Sequence, residues 1–192
     1  APDAAPRAAA VMCHPHPLFG GTMRTNALFR AARGLQHAGI AVLRFNFRGV
    51  ERSEGVHHGQ GGEVDDLGAA LDWMGERFPG LELWAGGFSF GARTSAERAT
   101  KDPRIAKVVL VAVPVLRFDC GFLRELHRPG LVLMAGNDEF GNLAQLRERY
   151  PELDPRIELD EIPNVGHFFE GQTQAVAARV QHWAERQLET RA

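Results

Sequence analysis

"WAGGFSFGARTS", residues 84–95, sets Ser89 between Gly87 and Gly91 where an apolar run gives way to a polar one. The run before it, "LELWAGG" (81–87), has the length and character of a buried strand, and "FGARTSAERATK" (90–101) reads as a helix. A reversal from strand to helix this sharp crowds the backbone against the positions two before and two after the turn. Only glycine lacks the Cβ that would collide there. The serine between them is then forced into a strained conformation that projects its hydroxyl. The chain has two other serines, Ser53 in "RGVERSEG" and Ser95 inside the helix; neither has these flanks, and both read as structural.

Outward from this turn, apolar runs of strand length alternate with helix-like stretches. "AAAVMC" (8–13), "IAVLRFNF" (40–47), "LELWAGG", "IAKVVLVAVPV" (105–115), "GLVLMAG" (130–136) and "RIELDEI" (156–162) read as six strands. The helices between and after them are "TMRTNALFRAARGLQHAG" (22–39), "LGAALDWMGERF" (67–78), "FGARTSAERATK", "FLRELHR" (122–128), "NLAQLRERY" (142–150) and "TQAVAARVQHWAERQLE" (173–189). Strands this uniformly apolar imply a mostly parallel sheet covered by helices on both faces. No internal repeat or composition break divides the chain, so residues 1–192 are predicted to form a single domain.

With 44% hydrophobic and 24% charged residues, the composition is that of an ordinary globular protein. A net charge of −2, with arginines scattered rather than clustered, gives no footprint for nucleic acid or an anionic membrane, so a small neutral partner is expected. No apolar run is long enough to span a bilayer, and "APDAAPRAAAV" lacks the order of a signal peptide. Cys13 and Cys120 form no CxxC pair and read as buried thiols, which suits a reducing cytoplasm.

In open α/β sheets ligands bind beyond the carboxyl ends of the strands, so the residues after each apolar run carry the functional reading. Serine is a weak nucleophile at neutral pH and needs a base and donors for the oxyanion it creates. "NDEF" (137–140) after the fifth strand offers an acid, and "NVGHFF" (164–169) after the sixth offers a histidine. In the order Ser89, Asp138, His167, these form a candidate triad: His167 takes the serine proton and Asp138 orients the imidazole and stabilises its charged form. Glu139 competes with Asp138, and the other seven histidines compete with His167, but none of them is both late in the chain and directly after a strand.

"HPHPLFGG" (14–21) follows the first strand. Two histidines spaced by prolines suggest a metal site, but no third ligand lies near in sequence, and no metal or cofactor is expected. The alternative is an oxyanion hole, built from the N–H of Phe90 and one N–H of this loop. Pro15 and Pro17 cannot donate, which leaves His16 or Leu18; the backbone of His16 is the expected donor.

The segments "CHPHPLFGGTM", "LRFNFRGVERSEG", "GFSFGA", "NDEFG" and "VGHFFEG" together resemble the α/β-hydrolase superfamily. Within it they resemble small, cap-less bacterial hydrolases distantly similar to dienelactone hydrolases. The resemblance implies a nucleophile at Ser89, an acid at Asp138 and a base at His167. Two departures stand out: Glu51 occupies a position where glycine is expected in "RGVxxSxG", and no stretch is available for the early antiparallel hairpin of the fold. The stretch between "VAVPV" (111–115) and "LVLMAG" (131–136) is too short for a lid, so a shallow, open site is expected. The function expected is cleavage of small carboxylic esters or thioesters through an acyl-serine intermediate. The rivals are an acyltransferase using the same triad and a hydrolase-like scaffold that binds without chemistry.

Overall fold

Six strands, β1 (Ala8–Cys13), β2 (Ile40–Arg44), β3 (Leu83–Phe88), β4 (Ile105–Val111), β5 (Gly130–Ala135) and β6 (Ile157–Ile162), pair in the order β2-β1-β3-β4-β5-β6. Every neighbouring pair is parallel. The computed structural model describes residues 5–57 and 61–189. Its five helices are α1 (Asn26–His37), α2 (Gly62–Arg77), α3 (Phe90–Lys101), α4 (Leu143–Arg149) and α5 (Thr173–Glu189). The expected hydrolase architecture, a parallel sheet with helices on both faces and no inserted cap, is the one observed.

The strand pleat sorts side chains into two cores. From β1, Ala9, Val11 and Cys13 join Leu67 and Leu71 of α2 and Ala92 and Ala96 of α3. Ala8, Ala10 and Met12 join Leu28 and Leu35 of α1 and Val180 and Trp183 of α5 on the other face. Because both faces are buried, β1, β3, β4 and β5 are apolar without alternation, which is why they stood out in the sequence, whereas the edge strand β6 carries Glu158, Asp160 and Glu161. Asp102, just after α3, fixes that helix to its surroundings by accepting from Arg98 and Arg104, and Arg104 also reaches Asp72 of α2. These guanidinium groups hold the Asp102 carboxyl far below the usual carboxylate range.

Several element ends differ from the sequence reading, each for a local reason. α1 begins at Asn26 because Thr22–Thr25 form a turn closed by Thr25 N–H donating to the Thr22 carbonyl. α2 begins at Gly62, with Glu63 and Asp65 inside its first turn, where the helix dipole favours acids. β2 stops at Arg44 since the Phe47 N–H donates to His14 Nε2 rather than to a strand. β4 stops at Val111, where Ala112 adopts a φ of 51°. The helix expected at 122–128 is one 3-10 turn, Gly121–Glu125.

β1 connects outward to β2, whereas β3 lies on β1's other side, so the strand order reverses between β1 and β3. The loops after these two strands diverge and leave a crevice between them, the place where such sheets bind ligands. "HPHPLFGG" and Ser89 occupy its two sides.

Candidate active site

Ser89 sits between β3 and α3 with φ 56° and ψ −119°, a conformation costing a non-glycine residue roughly 1–3 kcal/mol. Three features hold it there. Its N–H donates to the Val111 carbonyl at 2.8 Å, its carbonyl accepts from Arg93 N–H, and the close approach of α3 to β1 tolerates nothing beyond glycine at two positions. A Cβ on Gly91 would strike the Cys13 carbonyl, and one on Gly87 would strike Gly91. The two other serines are tied down elsewhere: Ser95 Oγ donates to the Gly86 carbonyl and Ser53 Oγ to the Asn46 carbonyl.

Ser89 Oγ lies 2.8 Å from His167 Nε2, and His167 Nδ1 lies 2.7 Å from Asp138 Oδ2. The three residues therefore form one continuous chain of hydrogen bonds across the ends of β3, β5 and β6. A carboxylate only accepts, so Nδ1 carries the imidazole proton and Nε2 is left as acceptor for the serine hydroxyl. Asp138 is itself oriented by the Phe140 N–H, which donates to Oδ1 at 2.8 Å. Its loop is tied to the histidine loop by Asn137 N–H donating to the Val165 carbonyl. Glu139, the competing acid, makes no bond to His167 and turns toward the mouth of the site. Phe88, Phe140 and Phe168 surround the imidazole, their ring centroids 4.7 to 5.2 Å from it.

The HPHP loop does something different with each histidine. His14 is fully buried; its Nε2 accepts from Phe47 N–H, so its Nδ1 carries the proton and donates to the Pro15 carbonyl. Burial holds it below the ordinary histidine value. His16 accepts the Leu18 N–H on Nδ1, and its carbonyl accepts from Phe19 and Gly21. Burial, and then the adjacent His57, keep its imidazole low as well. Each ring thus has a nitrogen committed to backbone. Among the described residues no group of three or more His, Cys, Asp or Glu side chains is placed to hold a metal ion. Of the two candidate donors, Leu18 N–H is spent on the His16 ring, whereas the N–H groups of His16 and Phe90 have no acceptor among the described residues.

Ser89, His167 and His16 open onto a cavity of about 300 Å³, lined also by Phe19, Phe118, Phe140 and Phe168. Residues 112–129, where a lid would enter, hold only a turn at Pro114 and the 3-10 turn. The site is nevertheless less open than the sequence suggests. Ser89 is 8% exposed, because Phe19 and Phe168 stand up beside it, themselves 73% and 47% exposed.

Two features near the site add to the sequence reading. Glu51, standing where glycine was expected, has a φ of 51°, which explains the preference for glycine. Its carboxylate accepts from Arg24 at 2.5 Å and from Asn46 at 2.6 Å, contacts that offset the strain. The second is a pair that the sequence reading did not raise: His57 Nδ1 lies 2.5 Å from Glu63 Oε1, with side chains 7% and 2% exposed. Both cysteines are free and buried, and burial pushes each thiol up to about 12.

A parallel sheet with a strained serine at its switch point, and with an acid and a histidine delivered from later strands, defines an α/β serine hydrolase fold without a lid. The chain belongs to the family described as serine aminopeptidase, S33, whose sequence profile matches residues 4–124. That segment carries Ser89 and the HPHP loop; Asp138 and His167 lie beyond it. The chain is 34% identical over 174 residues to uncharacterized protein RP471 of Rickettsia prowazekii, covering 86% of this chain and 73% of that protein. It is 32% identical to XC6422 of Xanthomonas campestris, described as an α/β serine hydrolase without lid, with a TM-score of 0.88 over 97% of this chain and 85% of that one. An α/β serine hydrolase homologue from Coxiella burnetii is 31% identical, with a TM-score of 0.87 over 94% of this chain and 86% of that one. Among the described residues no helix is long and apolar enough to cross a membrane.

Proposed function

We propose that the chain hydrolyses small carboxylic esters, and thioesters of similar size, by way of an acyl-serine at Ser89. The observation that carries this reading is the unbroken run of hydrogen bonds from Asp138 through His167 to Ser89, facing a small apolar cavity. Ser89 Oγ attacks the ester carbonyl carbon while its proton passes to His167 Nε2. The negative charge that develops on the carbonyl oxygen is met by the N–H groups of Phe90 and His16. Asp138 stabilises the imidazolium, which then returns its proton to the departing alkoxide and leaves an acyl-serine. Water enters, gives a proton to His167 and attacks the acyl carbon; collapse of the second tetrahedral intermediate releases the acid and restores the serine. A cavity of about 300 Å³ is at the small end of ligand sites, and its phenylalanine walls favour an apolar acyl group.

Exposure of the pure protein to a fluorophosphonate probe, read by intact mass, tests this. One adduct per chain is expected, absent in Ser89→Ala. No adduct on the wild-type protein, together with no turnover of short-chain 4-nitrophenyl esters, would overturn the reading.

A further inference from the structure

A second cavity of about 320 Å³ shares His16 and Phe118 with the first and is lined also by His57, Glu63 and Phe90. We propose that the His57–Glu63 pair is a positioning unit that holds both oxyanion donors in place from behind; this rests on the serine-hydrolase reading above.

His57 touches both donor residues. Its ring stands edge-on to the His16 ring at 4.9 Å and to the Phe90 ring at 6.0 Å, and the His16 and Phe90 rings lie 4.9 Å apart. His16 and Phe90 are the two residues whose backbone N–H groups are assigned to the oxyanion in the proposed reaction. One imidazole therefore buttresses both donors through their side chains, although they come from loops after different strands.

Packing alone does not fix that imidazole, because the second cavity leaves space beside it. The bond to Glu63 does. Glu63 lies in the first turn of α2 and is 1% exposed, so its carboxylate is confined by burial at the start of that helix. Arg48 ties the loop bearing His57 to the next turn of the same helix: its guanidinium and its N–H both donate to Asp66. Since a carboxylate only accepts, His57 Nδ1 carries the proton of the 2.5 Å contact. Burying an acid here costs solvation that an apolar pair would not, and the orientation of the ring is what that cost secures. His57 touches no reacting atom in this arrangement; it acts through His16 and Phe90.

Oxyanion donors work on the transition state and little on the bound ester, so loosening them lowers kcat and leaves KM nearly unchanged. The test compares Glu63→Ala, His57→Phe and Glu63→Gln with wild type, using kcat per serine titrated by fluorophosphonate, KM, and affinity for a trifluoromethyl ketone that forms a tetrahedral adduct. Normalising to titrated serine removes any fraction that fails to fold. Loss of a full oxyanion donor costs about a hundredfold to a thousandfold, so displaced donors are expected to cost about tenfold to a hundredfold in Glu63→Ala and His57→Phe, with ketone affinity falling in parallel and KM within about twofold. Glu63→Gln keeps an acceptor oxygen and its volume, and is expected to recover to within about threefold of wild type. Wild-type kcat and ketone affinity per titrated serine in Glu63→Ala and His57→Phe would overturn the proposal, as would a Glu63→Gln enzyme no better than Glu63→Ala. Failure of the wild-type protein to titrate would instead remove the hydrolase reading on which this one rests.

Discussion

Among the described residues two histidine–carboxylate pairs have buried side chains, and they differ in what the free face of the imidazole meets. His167, bonded to Asp138, presents Nε2 to Ser89 at 2.8 Å. His57, bonded to Glu63, presents its ring to the side chains of His16 and Phe90. On the proposed reaction the same bond serves two ends: in one it sets the tautomer of a base, in the other it sets the angle of a wedge. A carboxylate on Nδ1 is not by itself a mark of catalysis, and the partner on the far side of the ring assigns the role.

The sharpest break between the pairs is expected from removing the far partner or the base. Ser89→Ala and His167→Ala should lower kcat by about four to six orders of magnitude, leaving what binding and the oxyanion donors supply on their own. Ester hydrolysis followed at saturating substrate checks this, and folding is verified by the unfolding midpoint. Asp138→Asn leaves the bond but reverses its sense, favouring the wrong tautomer, and a loss of about 10⁴-fold is expected. Glu139→Gln, whose carboxylate makes no bond to His167, should stay within about threefold. Equal losses in the two variants would break the assignment of the acid.

A third buried carboxylate serves as the control. Asp102 is 5% exposed and pairs with arginines, remote from the cavity. Its folded value is depressed, so the unfolded chain binds its proton more readily. The stability it contributes is fully present above the unfolded value, near pH ~3.9, and is lost progressively as the pH falls below that toward the folded value. Asp102→Asn should therefore flatten the acid limb of a stability–pH profile and cost about 1–2 kcal/mol at pH 7, a figure reduced because the Arg104 side chain is 42% exposed. Turnover per titrated serine should not change, which separates a structural pair from the two histidine pairs.

The smallest effect is expected at Glu51. Glycine would relieve a φ of 51° but forfeit the bonds from Arg24 and Asn46, and the two terms are each about 1 kcal/mol. Chemical denaturation of Glu51→Gly should give a change within about 1 kcal/mol of zero. Glu51→Ala keeps the strain, loses the bonds and should be less stable than either.

How much of this was legible in the sequence follows from where each feature sits. Strands buried on both faces announce themselves as continuous apolar runs; Ser89 and Asp138 lie within three residues of the ends of two of these, and His167 follows the more polar β6 by a short loop. The tight approach of α3 to β1 was readable because Gly87 and Gly91 have no other reason to bracket a serine. Element ends were less readable, since they depend on partners far off in the chain: Phe47 leaves β2 for His14, and nothing near residue 47 says so. The His57–Glu63 pair was invisible for the same reason. Its members lie six residues apart in a glycine-rich stretch with no periodicity, and the tertiary contact with His16 and Phe90 that gives it meaning has no local signature.

The most direct test of the central claim is to catch the intermediate. The protein is mixed with 4-nitrophenyl acetate, quenched in acid within the first turnovers and digested, and the peptides are weighed. The account predicts a burst of 4-nitrophenol of about one equivalent per chain and one acetyl group on the peptide containing Ser89, on no other peptide and not in Ser89→Ala. Turnover at a wild-type rate by Ser89→Ala, or an acetyl group carried on a different side chain, would contradict it.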